Sequence, residues 1–353
     1  MNREISKQLQ QQVLAAIQSA QPLQIVGSGS KNFLGHICDA TPLEVSGHRG
    51  IVSYDPVELV ITARAGTPLR ELEQTLADAG QILPFEPPCF GPDATLGGTI
   101  ACGLSGPGRP FAGSARDYVL GVKVINGRGE ILNFGGQVMK NVAGYDCSRL
   151  MVGAMGTLGV ILEVSLKVLP KQAAEVTLIN KVSLPQALKA MNRWSGQSLP
   201  LSAACYDGEQ SYLRLSGAKS AVESACQLIG GEPHGDSSLF WQRVKEHQQP
   251  FFQSSLPLWR LSLPAHTSAL DLPGTWFIDW CGAQRWLLTE CSAETVREQT
   301  LAAGGHATLF RRGSRNIDTF QPPAAGVMQL HRRLKQAFDP DGLLNPGRLY
   351  PGL

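Results

Sequence analysis

The run Thr95-Leu96-Gly97-Gly98-Thr99-Ile100-Ala101-Cys102-Gly103-Leu104-Ser105-Gly106 sits in the most glycine-rich part of the chain. Sixteen of the 38 glycines fall between Gly91 and Gly159, a density that suits backbone taking φ > 0 or approaching another group closely. Such glycines present N–H donors with no side chain in the way. The backbone here is therefore expected to form a binding surface for a phosphate or the edge of a flat ring. A set of tight turns in a β-rich domain is the other reading of the same glycines.

Working outward, residues 119–125, the turn Asn126-Gly127-Arg128-Gly129 and residues 130–134 read as a hairpin. After Lys140-Asn141-Val142-Ala143-Gly144-Tyr145-Asp146 and a short helical piece, the segment Gly153 to Gly159 leads into an alternating stretch. There Val160, Leu162, Val164, Leu166 and Val168 alternate with Ile161, Glu163, Ser165 and Lys167, which predicts a strand with one strongly apolar face.

On the N-terminal side, Ile5, Leu9, Val13 and Ile17 recur every four residues, predicting an amphipathic helix that ends near Pro22. Residues 23–26 read as a strand entering Gly27-Ser28-Gly29-Ser30-Lys31-Asn32, where successive N–H groups, two hydroxyls and a lysine suit a pyrophosphate. The spacing matches neither G-x-x-x-x-G-K-[ST] nor G-x-G-x-x-G. Residues 59–64 read as a strand. Thr67-Pro68 is expected to cap a scaffold helix carrying Leu69, Leu72, Leu76 and Ala79 on one face, with Gly80 ending it.

Beyond Pro170 helical patterns at 185–194 and 218–229 mix with strand-like pieces at 202–215, 259–263, 277–280 and 285–288, as in an α+β domain. Within it Arg260 lies in an apolar strand pattern. Its guanidinium suits a substrate carboxylate, or an acid at a domain interface. His306, after two glycines, is a base or ligand candidate whose commoner role is structural. Arg311, Arg312 and Arg315 form a cationic group that suits an acidic substrate, a partner surface or simple solvation. Residues 331–335 read as a basic helix.

Composition narrows the function classes. A chain of 353 residues with 43% hydrophobic and 17% charged residues can bury a large core. Its net charge of +2, with no basic cluster interleaved with aromatics, argues against nucleic acid. The eight cysteines show no C-x-x-C pair or metal-ligand rhythm, so neither a metal site nor an iron-sulfur cluster is expected. With no secretory pattern and no apolar run of about 18 residues, the expectation is a reduced cytoplasmic protein, attached to the inner face of a membrane only through partners.

The order of "TLGGTIACGLSG", "RDYVLGVKVINGRGEIL", "KNVAGYDCSRLMVGAMGTLGVILEV" and "FDPDGLLNPGRL" resembles the FAD-binding domain of the vanillyl-alcohol oxidase (PCMH) type. In detail it is most similar to the FAD-binding subunits of glycolate oxidase. The resemblance covers roughly residues 23–170 and the end of the chain; the middle matches less distinctively. It implies an α+β fold: a two-subdomain PCMH-type FAD-binding domain at 1–170, a small α+β cap at 171–325, and a C-terminal segment, 326–353, returning to the flavin.

The same resemblance implies that FAD is held by Gly27 to Asn32, by Thr95, Gly97, Gly98, Thr99, Ala101, Cys102, Gly103, Ser105 and Gly106, by Asp117, Gly156, Gly159 and Val160, and by Asn345. Asn345 and Arg348 would lie near the ring, with Arg260 and Arg348 the candidates for chemistry. Covalent relatives often carry a histidine in the first loop. Ser30, Lys31 and Asn32 stand there instead, which implies noncovalent FAD. The implied activity is oxidation of a 2-hydroxy acid, glycolate, to glyoxylate, in a complex with a second flavoprotein subunit and an iron-sulfur subunit that passes electrons to an external acceptor. Two alternatives remain open at this stage: a noncatalytic FAD relay or assembly subunit, and a flavin reductase using a nicotinamide donor.

Overall fold

The glycine run folds as a helix. In the computed structural model, which describes residues 3–136, 146–313 and 317–353, Leu96–Cys102 is α-helical, capped by Thr95 Oγ1 at its start and by left-handed Gly103 at its end. Its first N–H groups are already used: Leu96 donates to Thr67 O, Gly97 to Ala65 O and Gly98 to Thr95 Oγ1. The expectation that this run offers open backbone donors at positive φ is corrected for Gly97 and Gly98. Gly97 serves close approach, since a Cβ there would lie 2.7 Å from Ala65 Cβ.

The chain divides into two compact units. The first comprises Met1–Ser105, Ser114–Pro170 and Pro322–Leu353. Its larger sheet is antiparallel throughout, in the order Ile51–Asp55, Val60–Arg64, Val160–Lys167, Val119–Ile125, Ile131–Gly135. Val160–Lys167 is the middle strand, and six of its eight residues are buried. That overturns the expected single apolar face: Ile161 and Ser165 are covered as well, because helices and loops pack on both sides of a central strand. A separate parallel pair joins Leu23–Val26 to Thr41–Glu44. One apolar core, running from Leu9 and Val13 through Leu69, Leu72, Leu96 and Ile100 to Val164, includes Leu344.

Local chemistry explains several element ends. The first helix is Ser6–Ser19 and stops at left-handed Ala20, short of Pro22. Thr67 does not cap the next helix, Leu69–Asp78, whose N-cap is Pro68. The Thr67 hydroxyl instead accepts from Gly50 N at 2.9 Å, binding two loops together. In the hairpin turn Asn126 Oδ1 accepts from both Arg128 N and Glu130 N.

The second unit comprises Gly106–Gly113 and Lys171–Gln321. It holds an eight-stranded antiparallel sheet in the order Glu232–Pro233, Ala174–Lys181, Gln210–Gly217, Leu201–Tyr206, Thr275–Asp279, Gln284–Leu288, Leu258–Ser262, His306–Arg311. Leu184–Ser195 begins with a capping box between Ser183 and Gln186. Apolar clusters on this sheet include one around Leu178, Met191 and Leu215 and another around Trp259, Leu261 and Leu309. No described helix is long and apolar enough to cross a membrane.

Two charged segments differ from expectation. Arg311 donates to Phe252 O and Arg312 to Thr319 Oγ1, so both side chains fasten neighbouring chain rather than forming a loop cluster. Arg315 lies outside the described residues, as do Lys140 to Tyr145. In the helix Ala325–Phe338, Lys335 is only 7% exposed. Its Nζ donates to Thr157 O (2.9 Å), Asp339 Oδ2 (2.7 Å) and Leu344 O (2.7 Å).

Replacing Lys335 with Met strands the buried Asp339 carboxylate without its cation. The expected loss is about 3–5 kcal/mol. It would be seen as a lower urea midpoint for the first unit and lost hydrogen-exchange protection at Leu343 and Leu344; the Lys335→Met/Asp339→Leu pair should recover part of it.

Candidate functional site

A cavity in the first unit gathers three stretches that are far apart in sequence. Gly27, Ser28, Gly29, Ser30, Lys31 and Asn32 form one wall and Thr95, Gly97, Gly98, Ala101 and Cys102 a second. Met155, Gly156, Gly159, Asn345 and Arg348 form a third. Ile25, Val45, Ala65, Gly66 and Ile161 complete the apolar lining.

The first wall follows directly from the parallel strand pair. The chain leaves Leu23–Val26 and turns at Gly29, with φ +75° and a bond from Asn32 N to Gly29 O. Among the described residues no acceptor takes the N–H groups of Ser28, Gly29 or Ser30. The backbone donors expected of the 95–106 run are thus found in this loop. Lys31 is 6% exposed and donates to Cys89 O at 3.2 Å.

The third wall depends on Asn345. This residue is left-handed, with φ +45°, and 5% exposed. Its Oδ1 accepts from Ile25 N at 2.7 Å and its Nδ2 donates to Met155 O at 2.6 Å. One amide side chain therefore ties the strand that feeds the first loop to the Met155–Gly156 turn. Arg348 donates from Nη1 to His36 O at 2.6 Å and from Nη2 to Asn32 O at 3.3 Å, which fixes its charge beside the same loop.

The charges of this lining have one sign. Lys31 and Arg348 are cations, and none of the residues around the cavity is Asp, Glu or His. Such a wall, with unspent N–H groups at Ser28 to Ser30, suits a diphosphate. The apolar patch of Ile25, Val45, Ala65 and Ile161 suits a flat ring. These residues fit FAD. Burial pushes the Cys102 thiol above its usual range, against the opposing pull of Lys31 and Arg348.

Fourteen of the candidate FAD residues surround the cavity: Gly27 to Asn32, Thr95, Gly97, Gly98, Ala101, Cys102, Gly156, Gly159 and Asn345. Six do not. Thr99 faces the core, fully buried, and its hydroxyl has no hydrogen-bond partner among the described residues. Gly103 ends the helix against Gly153, and Ser105 Oγ accepts from Ala115 N. Gly106 belongs to the second unit, where its carbonyl accepts from Trp280 Nε1. Asp117 closes a capping box with Ser114. Val160 is buried in the central strand.

Sequence reading missed Ile25, Val45, Ala65, Gly66, Met155 and Ile161. A signal existed at Gly66, where a Cβ would fall 2.5 Å from Val45 O: a glycine two residues past the end of the strand Val60–Arg64 marks close backbone approach. Arg260 lies in the second unit, its Nε donating to Gln284 Oε1 at 2.6 Å. His306 opens the edge strand, opposite Ser262.

Gly98 tests the assignment. A Cβ there would meet only Thr95 Oγ1, at 3.1 Å, and the position is helical, so Gly98→Val keeps an acceptable backbone while filling the cavity. FAD affinity is expected to fall at least about tenfold, equivalent to about 1.4 kcal/mol, with the fold retained. Titration of apoprotein with FAD, followed by flavin fluorescence and paired with circular dichroism, reads both quantities; unchanged affinity would move the site elsewhere.

Known proteins agree with this geometry. Residues 5–135 match the family described as FAD binding domain, and residues 324–349 match FAD linked oxidases, C-terminal domain. Glycolate oxidase subunit GlcE of Escherichia coli (strain K12) is 49% identical over 350 residues, 99% of each chain. Glycolate oxidase subunit GlcD of Bacillus subtilis (strain 168) is 34% identical over 129 residues, 36% of this chain and 27% of that protein. A solved structure of alkyldihydroxyacetonephosphate synthase shares the fold, with a TM-score of 0.68 at 15% identity over 97% of this chain and 76% of the other. The two matched families fall on the segments that wall the cavity from opposite ends of the sequence, and near-half identity spans the whole length: the chain belongs to the family of glycolate oxidase subunit GlcE and binds FAD.

Proposed function

We propose that this chain oxidises glycolate to glyoxylate as the FAD-carrying subunit of a glycolate oxidase assembly. The carrying observation is the identity to a glycolate oxidase subunit along the full chain, and a cavity lining whose charged residues, Lys31 and Arg348, are both cations supports it. FAD supplies the two-electron chemistry when bound. The chain's own residues bind and orient it: the Ser28 to Ser30 amides, Lys31 and Arg348 hold the diphosphate, and Asn345 fixes the walls around it. Arg260 is the group proposed to meet the glycolate carboxylate, as guanidinium geometry allows.

The FAD is proposed to be noncovalent. No histidine lines the cavity, and burial raises the pKa of the Cys102 thiol, which works against the thiolate that a thioether bond needs. Electrons leave to an external acceptor through partner subunits, proposed to be a second flavoprotein and an iron-sulfur protein. None of the eight cysteines is in a disulfide, which supports a reducing, cytoplasmic setting.

One observation favours a second reading. The cavity lining holds no carboxylate or imidazole to take a proton from a hydroxy acid, which suits a relay subunit beside a related catalytic flavoprotein. Two measurements decide between these and test the attachment. Acid precipitation should release all the yellow colour to the supernatant; colour retained in the washed pellet would refute noncovalent binding. Anaerobic glycolate should bleach the flavin of the isolated chain, whereas bleaching only after a second subunit is added supports the relay.

A further inference from the structure

The imidazole of His48 is fully buried in the first unit, on the loop between the strands Thr41–Glu44 and Ile51–Asp55. Its Nδ1 accepts from Ile5 N at 3.1 Å, and Ile5 is the N-cap of the helix Ser6–Ser19. An acceptor at Nδ1 puts the proton of the neutral ring on Nε2. That nitrogen is buried with no hydrogen-bond partner among the described residues. The surroundings therefore favour the neutral ring: a second proton would set an N–H against the N–H of Ile5 and bury a charge.

The main chain of the same residue holds a wall of the cavity. His48 O accepts from Gly66 N at 2.8 Å and His48 N donates to Val45 O at 2.9 Å, and Val45 and Gly66 both line the cavity. This contact has no slack, since a Cβ on Gly66 would lie 2.5 Å from Val45 O, 2.6 Å from Ser46 O and 2.8 Å from His48 O. The neighbouring Ala65 O accepts from Gly97 N at 2.7 Å, which carries a shift of this loop to the second wall.

Charged groups act on the ring in both directions. Glu4 Oε1 is 3.9 Å from Nδ1, but this carboxylate is half exposed and already accepts from Ser6 N at 2.7 Å. Glu163 also favours a charged ring, whereas Arg64 and Lys123 oppose it. Lys123 and Glu163 pair with each other at 3.5 Å, so their effects on the ring offset. Arg3 and Arg49, bridged through their backbones, are exposed. Burial is the largest influence, and it holds the His48 pKa below its ordinary value of 6.5.

We propose that His48 is a pH-sensitive positioning residue for FAD: its neutral imidazole, seated under the start of the first helix, keeps Val45 and Gly66 in the binding arrangement, and protonation releases them. The proposal takes the cavity as the FAD site. The ordered wall binds fewer protons than the released one, so it is fully held above about pH 6.5 and is lost progressively as pH falls below that value. FAD and the proton are then antagonists by linkage. Loading with FAD lowers the His48 pKa further, and binding in mild acid expels a proton.

Histidine labelled with 15N reports the tautomer and titration of His48 in the full chain, the resonance being assigned by its loss in His48→Asn. A neutral ring protonated on Nε2 is expected, with a pKa below 6.5 that falls again on loading with FAD. Fluorescence titration of the apoprotein should show the Kd for FAD rising up to about tenfold per pH unit below the His48 pKa. Asn places its Oδ1 where Nδ1 stands and does not titrate, so His48→Asn should flatten this pH dependence, whatever its affinity at neutral pH. Glu4→Gln, an exposed change, removes the nearest anion and should move the loss of affinity to lower pH, which keeps the test open if His48→Asn fails to fold. Affinity that falls equally in His48→Asn, an acid loss unmoved in Glu4→Gln, or a His48 pKa that FAD leaves unchanged overturns the proposal and leaves the proposed function standing. A flavin that the native chain fails to bind at any pH would instead overturn the FAD site itself.

Discussion

The buried ammonium of Lys335 is the contact on which the cavity depends. Its three protons go to Thr157 O, Leu344 O and Asp339 Oδ2, each acceptor on a different stretch of chain. Asp339 is equally committed, its two oxygens accepting from Leu343 N and Leu344 N as well. Leu343 O then takes the N–H of Leu23, and Asn345 N returns a bond to Leu23 O. One ion pair therefore sets the height of the strand that delivers the Gly27 to Asn32 loop. Burial pulls the lysine below its usual pKa and the bond to Asp339 pulls the other way, so the ammonium is kept in the interior by its partners. The same carboxylate leaves no room for a side chain at Gly127, where a Cβ would lie 2.3 Å from Asp339 Oδ1.

Glycine has two distinct uses around the cavity. At Gly29 the positive φ turns the chain and leaves amides open. At Gly97 and Gly66 the backbone angles are ordinary, and the missing Cβ lets one segment lie directly on the backbone of another. Only the first use exposes donors. In the second the amide is consumed by the contact that the glycine permits, as with Gly97 N on Ala65 O and Gly66 N on His48 O.

That distinction explains what could be read from the sequence. That the Gly-rich stretch comes to the cavity was legible because glycine density marks close approach whatever its purpose. The conformation of Gly97 and Gly98 was not, because Leu96 to Cys102 has a helix cap at Thr95 but too few periodic residues to show it. The Gly27 to Asn32 loop was legible from its own residues. Its apolar neighbours Val45 and Ile161 read as ordinary strand positions, and only the fold brings them to the cavity. Lys335 read as one of several basic residues on a helix, since two of its three acceptors are backbone carbonyls, the farther one 178 residues away. A side chain that bonds to carbonyls leaves no pattern of residue types to find.

The bond between Asn345 and Ile25 spans 320 residues, and this fixes when the cavity can exist during synthesis. The strand and loop at 23–32 leave the ribosome first, then most of the second unit, and only afterwards the segment that closes the third wall. At about 5–20 residues per second the gap is on the order of 20–60 s. Throughout that interval the nascent first unit lacks Asn345 and Arg348, and the cavity is incomplete. The cavity is therefore completed late in the life of each chain, and a chain truncated within the second unit would lack Asn345 and Arg348 from the third wall.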